Sequence, residues 1–185
     1  LGNPLRGLTP EMLGRYLDSF NSGQLRDAAR TWDLMERRSL MLGAVARKRY
    51  NSISRLDWQI LKEEESPEAE AQADFLNQFW RSIVVSDAME RDRKGGVRML
   101  LRQAAFSIGH RYSVHEIVWK PEPGRLSATF TRVPLWFFEN TTGTLRFLEG
   151  DFGLTGVDLA PGSWLVHVGD GLMEATEGNI VDYAV

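Results

Sequence analysis

The chain has 185 residues, 43% of them hydrophobic, a formal net charge of −3 and no cysteine. That length can bury one sizeable core, as one domain or two small ones, and the lack of cysteine excludes a disulfide framework, thiolate zinc sites and cysteine nucleophiles. No apolar run approaches the roughly 20 residues that span a bilayer, and the opening at Leu1 leads us to expect a fragment or a trimmed N-terminus.

The average charge hides a gradient. Residues 1–60 hold 10 Lys and Arg against 6 Asp and Glu, residues 61–120 hold 9 against 10, and residues 121–185 hold 3 against 9. The basic end suits a polyanion or an acidic protein surface, or is simply a solvated helix face. The acidic end is unsuited to coating nucleic acid.

Thr9-Pro10-Glu11 predicts a helix start, with Thr9 as cap and Pro10 in the first turn, running to about Phe20. Asn21-Ser22-Gly23 breaks it. Leu25 to about Tyr50 carries one broad apolar stripe (Ala28, Trp32, Met35, Leu42, Val45, Ala46) and predicts a single long helix with a soft spot at Gly43. Within it lie Arg37, Arg38, Arg47, Lys48 and Arg49, the candidate interface or polyanion-binding residues. Asn51–Leu61 then switches to extended character, and Ile53, Leu56, Trp58 and Ile60 predict a strand. Trp58 is expected to be a buried packing residue that seals helix against sheet.

Lys62–Pro67 reads as a charged hinge, and its Glu63–Glu65 run as a solvated linker, since three consecutive carboxylates diverge. Ser66-Pro67 caps a second helix with the stripe Phe75, Leu76, Phe79, Trp80 and Ile83. A linker near Ser86 leads past Gly95-Gly96 to another helix through Val97, Leu100, Leu101, Ala104, Ala105 and Ile108. Beyond Gly109 the pattern is β, with candidate strands at 111–119, 127–133, 135–138, 144–148 and 164–168, separated by turn-forming clusters such as Asn140–Gly143. Helices followed by strands predict an α+β fold, with N-terminal helices packed on a mostly antiparallel C-terminal sheet. Residues 1–61 form its N-terminal helices and first strand, and 62–185 the rest, as one continuous domain.

Catalytic motifs are missing. His110, His115 and His167 are the only histidines, and His110 and His115, five apart on an expected strand start, cannot share one strand face. Lys94-Gly95-Gly96 lacks phosphate-loop spacing, and Ser163 lacks a nucleophile-elbow context. The expectation is no catalysis, no metal and no cofactor. Two alternatives stay open: an enzyme domain assembled only by the fold around His110, His115, Glu116 and His167, and a nucleic-acid-binding module that uses the basic helix.

The order of several segments resembles one family. Glu36-Arg37-Arg38-Ser39-Leu40-Met41-Leu42-Gly43 with Arg47–Arg49 matches a helix that carries an acidic residue, an Arg, a Leu and a Gly in that order, followed by basic residues. Leu56-Asp57-Trp58-Gln59-Ile60 matches a Leu-x-Trp-x-Ile core, and an amphipathic helix follows, ending in Phe79-Trp80. Gly109 to Glu116-Ile117-Val118-Trp119 matches a Gly-to-Glu-Ile-Val-Trp strand. Pro134–Phe138, Gly143–Phe147 and Pro161–His167 complete the layout. This set resembles the portal proteins of tailed phages, most closely the Mu-like portals of phages and prophages, and the chain is similar to their N-terminal, wing-like part. The resemblance implies a structural subunit of a homo-oligomeric ring, commonly a dodecamer, at one capsid vertex. Double-stranded DNA passes through such a ring, and terminase, capsid and head–tail connector proteins dock on it. It also implies a place in the virion, with assembly in the host cytoplasm and no membrane. For the basic helix, an acidic C-terminal half of a neighbouring subunit is the expected partner, with DNA as the other possibility.

Overall fold

In a computed structural model the described residues are 5–150, 153 and 155–169. The first helix, α1 (Pro10–Asn21), starts where the sequence places it, with the Thr9 hydroxyl accepting from the Met12 amide. The expected single helix over Leu25–Tyr50 is two helices, α2 (Arg26–Arg38) and α3 (Leu40–Ser54). Ser39 breaks them: its backbone is extended, and its hydroxyl caps α3 by accepting from Leu42 N at 3.2 Å. Ser and Thr bond nearby amides in this way, so they mark helix starts better than helix interiors. Gly43, the expected soft spot, is where α3 meets α2, since a Cβ there would lie 2.5 Å from the Glu36 carbonyl oxygen.

The strand expected over Asn51–Leu61 is not formed. Asn51–Ser54 completes the last turn of α3, and residues 56–61 pair with no strand. An extended, alternating segment becomes a strand only when a partner edge offers hydrogen bonds, and among the described residues none does. Trp58 accordingly remains 38% exposed, which corrects the expectation that it is a core residue.

The next helix, α4 (Pro67–Ser82), is capped by the Ser66 hydroxyl as predicted. The linker expected near Ser86 is a strand, β1 (Val84–Asp87). Then come α5 (Val97–Ala104), the one-turn α6 (Ser107–His110), and the strands β2 (Tyr112–Glu122) and β3 (Arg125–Val133). His110 therefore ends a helix and does not start a strand. A 3-10 turn over Leu135–Phe137 leads into the short strands β4 (Phe138–Glu139), β5 (Arg146–Phe147) and β6 (Val157–Asp158), and β7 (Trp164–Val168) ends the described β region.

The main sheet has the order β1-β3-β2-β7, antiparallel except for β1, which lies parallel to β3. β4, β5 and β6 make a second antiparallel sheet. The registers Ile117↔Phe130 and Trp119↔Ala128 put these residues on one face of the main sheet, since paired residues point the same way. That face packs against Phe79 and Ile83 at the end of α4 and Leu100 of α5. Val114, on the opposite face, packs with Phe20, Leu25, Ala28 and Ala29 of the N-terminal helices and with Leu135, Phe138 and Leu145. The result is an α+β fold with helices on both faces of a mixed, mainly antiparallel sheet.

Candidate interaction surface

α3 has an inner side and an outer side with different chemistry. Inward, Gly43, Tyr50 and Ser54 are buried. The Tyr50 ring packs edge-on against Phe106 at 4.7 Å, and its hydroxyl donates to Glu36 Oε2 at 3.1 Å. Arg102 Nε donates to Asn51 Oδ1 at 3.0 Å, tying α3 to α5. His110 Nε2 sits 3.2 Å from the same Glu36 oxygen, so one carboxylate joins α2, α3 and α6. Burial opposes ionisation of Glu36, but the bonds from His110 and Tyr50 outweigh it and hold the carboxyl below the usual range. Burial, and then the Glu36 charge, push the Tyr50 phenol up.

Outward, the first turns of α3 are apolar and open to solvent: Leu40 is 87% exposed and Met41 79%, with Leu42 and Val45 beside them. Arg47, Lys48 and Arg49 follow on the exposed side. Of the five predicted basic residues, these three stand together. Arg37 and Arg38 lie across the Ser39 break at the end of α2, where Arg37 pairs with Asp33 at 2.9 Å. The segment after α3 adds Leu56, Trp58 and Leu61, all exposed. So much exposed apolar area on one element marks an interaction site more often than chance.

A second outward surface lies at the start of α4. Glu68 and Glu70 occupy its first turn, where the positive end of the helix dipole favours carboxylates. Asp74, Phe75 and Leu76 follow, all exposed. The sequence places Phe75 and Leu76 in the apolar stripe of this helix and marks Ser66-Pro67 only as its start. Phe75 and Leu76 share the i, i+3, i+4 arc of Phe79 and Ile83, but that arc is buried only at its C-terminal end and stays exposed one turn earlier, which periodicity alone does not reveal.

The three histidines go to different places. His115 is fully buried, with Nε2 3.1 Å from Gln103 Oε1. Burial, and then the nearby Arg132 charge, hold it neutral, with its pKa down to about 3. His110 bonds Glu36, and His167 is exposed on β7. Among the described residues no group of three His, Asp or Glu side chains could hold a metal ion. A cavity of about 20 Å³ bordered by Asp33, His110 and Arg132 has room for a single water, not a substrate. No helix among the described residues is long and apolar enough to cross a membrane.

In the acidic C-terminal half, Glu149 and Asp158 are exposed, whereas one acid is taken up internally. Glu139 is buried and accepts from Arg146, Thr141 and the Gly156 amide, and Arg146 lies 2.6 Å away. Burial opposes its ionisation, but those donors hold its pKa below the usual carboxylate range. Asp151, Asp170, Glu174, Glu177 and Asp182 lie outside the described residues.

Compared with known families, residues 29–179 match the profile for the portal protein of Mu bacteriophage, which takes in most of α2 and every described element after it. No match is found among curated proteins. The matched span is most of the chain, and the chain belongs to the Mu-like phage portal family. Its class is therefore that of a phage structural protein, and the family role is that of a portal.

Proposed function

We propose that this chain is the N-terminal, wing-like part of a portal subunit, folded as one continuous unit over 1–61 and 62–185. The subunit closes with further copies into a ring, taken as a dodecamer, at one vertex of the capsid. Through that ring DNA is packaged and later ejected, while terminase, capsid and head–tail connector proteins dock on its surfaces. The complete subunit resides in the virion and assembles in the host cytoplasm. It performs no catalysis and holds no cofactor. The observation that carries this reading is the family match across residues 29–179.

The exposed chemistry supports it. Apolar and basic groups outside the core, on α3 and residues 56–61, are what a subunit of an assembly presents before its neighbours arrive. The enzyme alternative has less support, since His110, His115, Glu116 and His167 point to separate environments. Light scattering on the full-length protein tests the reading: a mass of many subunits is expected, and a stable monomer at high concentration would refute it.

A further inference from the structure

We propose that the outward face of α3 docks, antiparallel, on the exposed N-terminal stretch of α4 that carries Glu68, Ala71 and Phe75 in a second copy of this chain. This contact rests on the ring reading and specifies which two surfaces join. α3 is apolar first and basic last, from Met41 through Val45 to Lys48. α4 is acidic first and apolar last, from Glu68 through Asp74 to Phe75. Laid antiparallel, Met41 meets Phe75 and Lys48 meets Glu68.

The spacing agrees. Met41 to Lys48 and Glu68 to Phe75 are each seven positions, two helical turns, or about 10.5 Å at ~1.5 Å per residue. Residues seven apart return to the same helix face, so each pair lies on one line. Midway along those lines stand Ala44 and Ala71, both exposed, and two small side chains let helix axes approach closely. The antiparallel arrangement also brings the negative end of the α3 dipole to the positive end of the α4 dipole.

The charges are available. Among the described residues, no ion pair engages Arg47, Lys48 or Arg49, nor Glu68, Glu70 or Asp74. In the C-terminal half, Glu139 is enclosed by its own partners, which leaves Glu149 and Asp158 as exposed described acids there, and these lie far apart in sequence and not along one helix. α3 packs on α2 and α5 whereas α4 packs on β3, so the two faces are different surfaces of one subunit. Joining unlike surfaces makes a head-to-tail contact, and repetition of such a contact closes a ring when the rotation permits.

The test introduces Ala44→Cys and Ala71→Cys, together and separately, into the full-length protein. Mild oxidation of the double variant should give a ladder of covalent multimers on a denaturing gel, with neither single variant rising above wild type. In parallel, Lys48→Glu should lose the assembled species in light scattering while keeping the wild-type melting temperature. Adding Glu68→Lys to it should restore assembly. Assembly by the double-cysteine variant without a ladder would overturn this contact and leave the ring standing. A ladder from Ala44→Cys alone would overturn it too, by showing a two-fold contact. Lys48→Glu particles that assemble normally but shed DNA would assign the basic face to DNA instead. A wild-type monomer would remove the ring and this contact together.

Discussion

Replacing Phe138 by alanine should unfold this protein more readily than any change on its outward helices. Phe138 is fully buried and lies edge-on to both Phe147 and Trp164, with centroids 5.6 Å from each. It opens the small sheet and also joins the core beneath α1 and α2, so two layers lose contact at once. Truncating a buried Phe costs about 3–5 kcal/mol, from lost transfer energy and the cavity left behind. For a domain of this size each kcal/mol lowers the melting temperature by about 2–4 °C, so a drop of roughly 6–20 °C is expected. Trp58→Ala is the matched control. It removes a larger ring from a solvent-exposed position, and should move the monomer's melting temperature by no more than about 2 °C. Thermal unfolding followed by circular dichroism reads both. A Phe138→Ala melt within 2 °C of wild type, or a Trp58→Ala melt as low as that of Phe138→Ala, would refute this assignment of the core.

Acid should destabilise the fold through His115. Its folded pKa is depressed to about 3 against about 6.5 when unfolded, so its contribution is complete above pH 6.5 and is lost as pH falls toward 3. Urea midpoints measured from pH 7.5 to 4 should fall less steeply in His115→Gln, and parallel curves would show that His115 is not held neutral. Gly43→Ala should destabilise by about 1–3 kcal/mol, because the added methyl meets the Glu36 carbonyl. In an unconstrained helix the same change would stabilise by up to ~1 kcal/mol, so the sign of the measured shift decides. Glu139→Ala should cost at least about 1–3 kcal/mol in denaturant unfolding by stranding Arg146 and the Gly156 amide, and a neutral result would mean water replaces the carboxylate.

Much of the architecture follows from local chemistry that needs no partner. Thr9 and Ser66 cap their helices because a hydroxyl next to Pro satisfies free amides wherever the chain goes. The strand Trp164–Val168 and the hairpin joining β2 to β3 follow from alternating apolar residues and a Pro-Gly turn. The family was legible as well, because it lies in the order of short segments and not in any contact between them.

What depends on partners was settled only by tertiary structure. Residues 56–61 have strand composition but find no edge among the described residues, whereas Val84–Asp87 becomes a strand because β3 offers a parallel edge. Leu42, Val45, Phe75 and Leu76 fit helical stripes on paper, yet Leu42 and Val45 lie away from the buried Gly43 and Tyr50, and Phe75 and Leu76 share the face of Phe79 but lie a turn before the part of it that is buried. The basic residues were visible from composition, but the break at Ser39 divides them between two helices. Periodicity states which residues of a helix can share a face; which face is buried depends on the surface that another part of the chain brings against it.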